Sequence, residues 1–218
     1  SITNPSLDSP LPYFAGKANL EKYLRKSGLS HGVLRPTVLF GGRDVLINNI
    51  AWLLRRFPIF GVPGFGRYGI QPVHVDDLAR LAIELGQSRE NTTIDAVGPE
   101  VFSYIELVRI VRKAVGSRAP ILPMPRAVVL AASAVLGRFL GDVLLTGEEI
   151  DGLSDNLLVS KASSTGTTIF TDWLEAHAHE LGREYASELA RHYDSSEPST
   201  SPAEQKIIQP AFRGGSHF

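Results

Sequence analysis

Between Tyr13 and Lys26 the apolar residues Tyr13, Leu20, Tyr23 and Leu24 return at helical spacing, with Glu21, Lys22, Arg25 and Lys26 between them. Gly28 follows as a residue suited to close a helix. The pattern predicts one amphipathic helix, entered from a loop over Ser1 to Pro12 in which Pro5, Pro10 and Pro12 block regular structure. The run from Gly32 to Gly41 is β-rich, bounded by glycines and poor in charge, as expected of a strand covered on both faces in a parallel sheet. A helix, a short Ser-Gly loop and such a strand form an α/β unit.

The same reading continues down the chain. Leu46 to Phe57 is a helix stopped by Pro58, and Gly61 to Gly69 is a loop. Gln71 to Val75 is a short strand, after which Asp76 is placed to cap a helix from about Asp77 to Leu85. Thr92 to Val97 is a further strand, and Ser103-Tyr-Ile-Glu106 reads as a capping box opening a helix from Tyr104 to Val115. Ala119 to Leu122 is a short extended piece walled by prolines. The last third is mainly helical, over Arg126 to Leu140, Glu148 to Leu157, and Asp172 to about His192 with Thr171 as its cap. From Asp194 the chain turns to Ser, Pro, Thr and Gly, the composition of a disordered tail.

Composition narrows the classes. With 43% hydrophobic residues and 22 Lys and Arg against 23 Asp and Glu, the chain is globular and lacks the basic excess that nucleic-acid binding needs. It has no cysteine, which removes disulfides, thiolate chemistry and Cys-ligated metals and fits a reducing, cytoplasmic setting. The most apolar stretch, Ala127 to Leu145, is interrupted by Arg138 and Asp142, so no transmembrane segment is expected. The chain starts at Ser1 and its only methionine is Met124, from which a portion of a longer protein is expected.

The chemistry centres on Tyr13-Phe-Ala-Gly-Lys17, which places a phenol and an ammonium one helical turn apart. A cation beside a phenol favours the phenolate and lets tyrosine exchange a proton with a carbonyl or alcohol oxygen. A Tyr-x-x-x-Lys also arises by chance, and alone it reads more readily as an amphipathic helix with a solvated lysine. Its context adds to it: the helix ending near Gly28, then Val33-Leu-Arg-Pro-Thr-Val-Leu-Phe-Gly41, then Gln71-Pro-Val-His-Val-Asp-Asp-Leu-Ala79. In that order, over about Ser1 to Pro125, the chain resembles the second half of the extended and atypical short-chain dehydrogenases/reductases, the group of NAD-dependent epimerase/dehydratases and NmrA-like proteins.

The resemblance implies an α/β fold: an incomplete Rossmann-type parallel sheet with a small mixed substrate lobe over residues 1–125, a helical C-terminal extension over 126–193, and a tail over 194–218. It implies that Tyr13 is the catalytic acid/base and that Lys17 holds the nicotinamide ribose and tunes Tyr13. The backbone of Pro36, Thr37 and Val38 would lie along the nicotinamide end of NAD or NADP, and His74 would line the substrate side or serve as a hydrogen-bonded structural histidine. The family's carbonyl-polarising Ser or Thr points to Ser1 or Thr3. Its glycine-rich turn lies upstream of the residues given, so the chain by itself is expected to be inactive. Gly64-Phe-Gly66-Arg-Tyr-Gly69 has the spacing of a dinucleotide fingerprint but stands before a strand, which rejects it in favour of a loop near the substrate side.

The remaining candidates read as structural. His177 and His179 face different sides of a helix and make no metal pair, Glu148 and Glu149 are helix-start charges, and Arg55-Arg56 is a solvated face. No metal site is expected. Two functions follow from the resemblance: hydride chemistry on a hydroxyl or carbonyl of a small-molecule substrate, or NAD(P) binding without turnover in a redox-sensing or accessory protein. The helical extension could serve a homo-oligomer or a protein partner.

Overall fold

Phe14, Ala18 and Glu21 share one side of the first helix, α1 (Pro12–Lys26), and that is the side it buries. The expected apolar stripe faces outward instead, with Tyr13 53%, Leu20 63% and Tyr23 71% exposed. A glutamate on the inner face is tolerable because two arginines meet it there, as described below. The computed structural model describes residues 1–42 and 44–187, and over these the chain forms seven helices and eight short strands.

The predicted strand from Gly32 to Gly41 is two strands that change partner at Thr37. β1 (Gly32–Pro36) pairs in parallel with β6 (Thr92–Ala96), whereas β2 (Val38–Phe40) pairs in parallel with β5 (Pro72–His74). Thr37 bridges both, its N–H donating to Ala96 O at 3.3 Å and its hydroxyl to Gln71 O at 2.5 Å. β3 (Phe60–Pro63) and β8 (Ile121–Met124) form a third parallel pair, and β4 (Gly69–Ile70) with β7 (Phe102–Ser103) an antiparallel one. The result is a mixed α/β fold with short parallel sheets, as the alternation of helix and strand required.

The helices enclose one apolar cluster. α2 (Leu46–Arg56) buries Ile47, Ile50, Ala51 and Leu54, the spacing of a single helix face. α4 (Tyr104–Ala114) buries Tyr104, Leu107, Val108 and Val111 and opens with the expected capping box, Ser103 with Glu106. Phe40, Phe170 and Leu174 complete the cluster. Within it Tyr68 and Tyr104 stack at 5.4 Å between ring centroids, and burial pushes the Tyr68 phenol up to about 12.

Two helix starts differ from the sequence reading. α3 (Val75–Gln87) is capped by His74, whose Nδ1 accepts from Asp76 N at 3.2 Å, so Asp76 is inside the helix. α7 (Phe170–His177) starts after Ile169, because Thr171 spends its N–H and hydroxyl on the Glu100 carboxylate at 3.0 and 2.8 Å. It also ends at His177 rather than near His192. The expected tail over 194–218 lies outside the described residues. α5 (Arg126–Leu140) and α6 (Gly147–Ser154) form as expected, α6 with a capping box of Thr146 and Glu149.

Arg55 and Arg56 are exposed, as expected, but both also hold the backbone of a distant segment. Arg55 donates to Leu181 O and Ala178 O at 2.9 and 2.8 Å, and Arg56 to Gly182 O and Arg183 O at 2.9 and 2.6 Å. Asn48 and Asn49 add bonds to the backbone of Gly182, Glu184 and Ala186. The polar side of α2 therefore holds the segment after α7 by its main chain. Gly182 has φ +69°, and a Cβ there would meet Ala51 C at 2.4 Å, so only glycine fits. Among the described residues no helix is long and apolar enough to cross a membrane.

Candidate site at the strand ends

α1 precedes β1 and meets it through Glu21, whose carboxylate accepts from Arg35 near the C-terminal end of the strand. That end, where a strand changes neighbours, is where open α/β sheets receive ligands. Thr3 N donates to Pro36 O at 3.0 Å, which brings the entering loop to the same place. Pro36, Thr37 and Val38 are thus together with Thr3.

The register of α1 on β1 is fixed by a buried charge cluster. Arg35 donates from Nε and Nη2 to the two Glu21 oxygens at 2.9 and 2.6 Å, Arg25 adds a bond at 2.7 Å, and Ser1 Oγ donates at 2.5 Å. Burial alone would raise the Glu21 pKa, but the hydrogen bonds from Arg35 and Ser1 and the charges of Arg35 and Arg25 hold it at about 2. The carboxylate stays ionised at neutral pH and grips the helix two turns after Tyr13.

Lys17 Nζ lies 5.2 Å from the centroid of the Tyr13 ring, so the pair is assembled, with the ammonium over the ring. Tyr13 also packs edge-on against Phe14 at 5.9 Å while remaining half exposed to solvent. The two hydroxyl candidates separate. Ser1 directs its oxygen to Glu21, whereas Thr3 is fully buried beside Pro36 and its Oγ1 has no hydrogen-bond partner among the described residues.

His74 is hydrogen-bonded and packed within the fold. Its Nδ1 accepts the α3 cap bond, its ring packs edge-on to Phe40 at 5.0 Å, and its Nε2 lies against Gly41, where a Cβ would stand 2.5 Å away. An Nδ1 that accepts carries no proton, so a neutral His74 has its hydrogen on Nε2. The Gly64 to Gly69 loop is also structural: Gly66 O accepts from Ile105 N at 3.0 Å and Tyr68 O from Tyr104 N at 2.9 Å, which seats it on the start of α4.

Sequence reasoning missed Gln71 and Asp77. Gln71 O accepts the Thr37 hydroxyl, its side chain donates to Gly98 O at 2.8 Å, and Oε1 accepts from Ser160 N at 3.2 Å. It ties β5, the turn after β6 and the segment after α6 to the point where Thr37 changes partner. Gly98 permits this closeness, since a Cβ there would fall 1.8 Å from Pro72 O. Asp77 accepts from Thr167 N and Thr168 N at 3.0 and 2.9 Å and pairs with Arg80. Burial works against its ionisation, but those N–H groups and Arg80 outweigh it and lower its pKa. A glutamine beside a proline, and an aspartate in a first helical turn, gave no hint of these distant partners.

No protein-family model matches the chain. It is 27% identical over 137 residues to the NADH dehydrogenase [ubiquinone] 1 alpha subcomplex subunit 9, mitochondrial, of Arabidopsis thaliana, covering 61% of this chain and 34% of that protein. It is 25% identical over 154 residues to the NADH-ubiquinone oxidoreductase 40 kDa subunit, mitochondrial, of Neurospora crassa, covering 69% of this chain and 40% of that one. The chain thus spans between about a third and two fifths of the relatives it matches. Among solved structures, it superposes on an NADPH-dependent quinone oxidoreductase of Escherichia coli with TM-score 0.63 and 20% identity, over 81% of this chain and 63% of the other. It also superposes on the UDP-glucuronic acid 4-epimerase of Bacillus cereus with TM-score 0.51 and 18% identity, over 82% of this chain and 55% of the epimerase. At those identities the superpositions show a shared Rossmann-type fold.

Proposed function

Taking the chain as an extended short-chain dehydrogenase/reductase-like protein, we propose that in the whole protein it forms the nicotinamide side of an NAD or NADP site and serves oxidoreductase or epimerase-type chemistry. The observation that supports this reading is the Tyr13-Lys17 pair itself, with the Lys17 ammonium 5.2 Å from the Tyr13 ring centroid. The buried Thr3 hydroxyl, left without a protein partner beside Pro36, is a fitting donor for a bound polar group.

Bound there, the dinucleotide would supply hydride transfer. Lys17 would hold the ribose and keep a positive charge beside Tyr13. Tyr13 would pass a proton to or from the oxygen of a small hydroxyl- or carbonyl-bearing metabolite, with Thr3 donating to that same oxygen. Pro36 to Val38, fixed by Thr37, would wall the crevice and limit water. A reducing interior accommodates the site, whether cytoplasmic, as the cysteine-free composition suggests, or organellar, as the mitochondrial names of the relatives suggest.

A second reading has its own support. The curated relatives carry the names of NADH dehydrogenase subunits, which favours a protein that binds the nucleotide as an accessory subunit without turnover. The test uses the full-length protein, with NADH and NADPH binding read by fluorescence and turnover read by nicotinamide absorbance. For the enzyme, Tyr13→Phe abolishes turnover and leaves affinity unchanged, and Lys17→Ala weakens both. For the accessory protein, Lys17→Ala weakens binding and Tyr13→Phe changes nothing. If neither nucleotide binds the unaltered full-length protein, both readings fail.

A further inference from the structure

Thr3 belongs to a closed ring of hydrogen bonds. Its N–H donates to Pro36 O at 3.0 Å, and Thr37, the next residue of that strand, donates its hydroxyl to Gln71 O at 2.5 Å. Gln71 N donates in turn to Leu158 O at 3.2 Å, while its Oε1 accepts from Ser160 N at 3.2 Å. Asn4 closes the ring, its Nδ2 donating to Leu157 O at 3.0 Å and to Val159 O at 2.8 Å. The stretch 157–160 is thus threaded between Asn4 and Gln71, which take its successive carbonyls in alternation.

Asn4 holds an uncommon backbone to make these bonds. Its φ of +50° lies in the left-handed region, where asparagine is among the few side chains found at all. The residue is exposed, so no burial of apolar surface fixes it there. What fixes it is the pair of carbonyls 153 and 155 residues further along the chain. Pro5 follows, and a residue before proline prefers extended backbone. An Asn4 released from Leu157 and Val159 would therefore move towards that region and swing the rigid peptide plane that joins it to Thr3.

Thr3 is the opposite case: it is fully buried, and its Oγ1 has no hydrogen-bond partner among the described residues. Its usefulness to a bound group depends on where that oxygen points. We propose that Asn4 is a positioning residue, which by clamping Leu157 and Val159 fixes the direction of the Thr3 hydroxyl towards the substrate oxygen. The proposal rests on the reading of Thr3 as the donor to that oxygen. Asn4 acts on the reaction through Thr3 alone, so its loss should lower the rate of the bound complex and leave binding as it was.

The test uses the full-length protein, NADH and NADPH, and a set of small aldehydes, ketones and quinones as carbonyl probes. Asn4→Ala removes the clamp and leaves a side chain ill suited to the backbone, whereas Asn4→Gly removes the clamp and keeps the left-handed backbone free of strain. In both, kcat should fall about tenfold or more, with nucleotide Kd and probe KM within about twofold of the unaltered values. Amide exchange at Thr3 should be about tenfold faster, with the urea midpoint retained. In a Thr3→Val background Asn4→Gly should lower kcat by less than about twofold further, because the hydroxyl it positions is gone. Unchanged kcat in Asn4→Gly, unchanged exchange at Thr3, or an undiminished further fall in the Thr3→Val background overturns the proposal. So does a loss of nucleotide affinity in place of kcat. An unaltered protein that binds nucleotide and turns over no probe overturns the proposal together with the enzyme reading, and one that binds neither nucleotide overturns the nucleotide reading as well.

Discussion

Replacing Glu21 with glutamine keeps the side-chain volume and removes the charge on which α1 is locked to β1. Folding lowers the Glu21 pKa from 4.5 to about 2, and at ~1.4 kcal/mol per pH unit that gap corresponds to roughly 3 kcal/mol. The Glu21 side chain is only 4% exposed, but Arg35 and Arg25 are 25% and 49% exposed, and solvent at the arginines screens part of the attraction. A loss of about 2–3 kcal/mol at pH 7 is therefore expected, worth roughly 5–10 °C in Tm for a chain of this length. The pH dependence provides the sharper check. Because the folded carboxyl is the stronger acid, its stabilisation is complete above about pH 4.5 and is lost as pH falls towards 2. Urea unfolding of the unaltered protein and Glu21→Gln should accordingly show a gap at pH 3 less than half of that at pH 7. A gap of the same size at both values would mean that packing, not charge, locks the helix, and would refute the reasoning.

Asp77→Asn should cost about 1–3 kcal/mol at neutral pH, since it removes the charge that Thr167 N, Thr168 N and Arg80 all address. With a lowered folded pKa that loss should shrink in acid, as urea midpoints across pH would read. Gly182→Ala should destabilise the segment after α7 by more than about 1 kcal/mol, the cost of a left-handed backbone before any clash with Ala51. Faster tryptic cleavage after Arg183 is its readout. His74→Ala should cost about 1 kcal/mol by unmaking the cap of α3, and His74→Asn should restore most of it, since asparagine caps helices well. Loss of turnover in His74→Asn with stability retained would instead return His74 to the substrate.

Most helices were legible because their signals are local. The capping boxes Ser103 with Glu106 and Thr146 with Glu149 each lie within four residues, and α2 shows its buried face in its own spacing. What escaped the sequence involves partners far along the chain. Nothing between Gly32 and Gly41 shows that the strand changes neighbours at Thr37, because the choice depends on Gln71 and Ala96. Arg55 and Arg56 look like any exposed pair until the carbonyls of Ala178 to Arg183 arrive more than a hundred residues later. The apolar residues of α1 suggested the wrong inner face for a related reason: a buried glutamate is improbable until Arg35, fourteen residues on, is seen to neutralise it.

The candidate site divides in the same way, and this determines how it can be probed. Tyr13 and Lys17 were visible as a spacing on one helix, and the structure leaves both with access to solvent. Thr3, Glu21, Thr37 and Gln71 are all buried. Substituting any of the buried four perturbs the fold and the site together, so lost activity there would not assign a chemical role. Tyr13→Phe removes one solvent-accessible oxygen, without a hydrogen-bond partner among the described residues, from a ring whose contacts with Phe14 and Lys17 survive. Its stability cost should lie within the ~0.5 kcal/mol usual for surface changes. A loss of turnover in that variant can therefore be read as chemistry, whereas the same loss in Glu21→Gln must first be compared with its Tm.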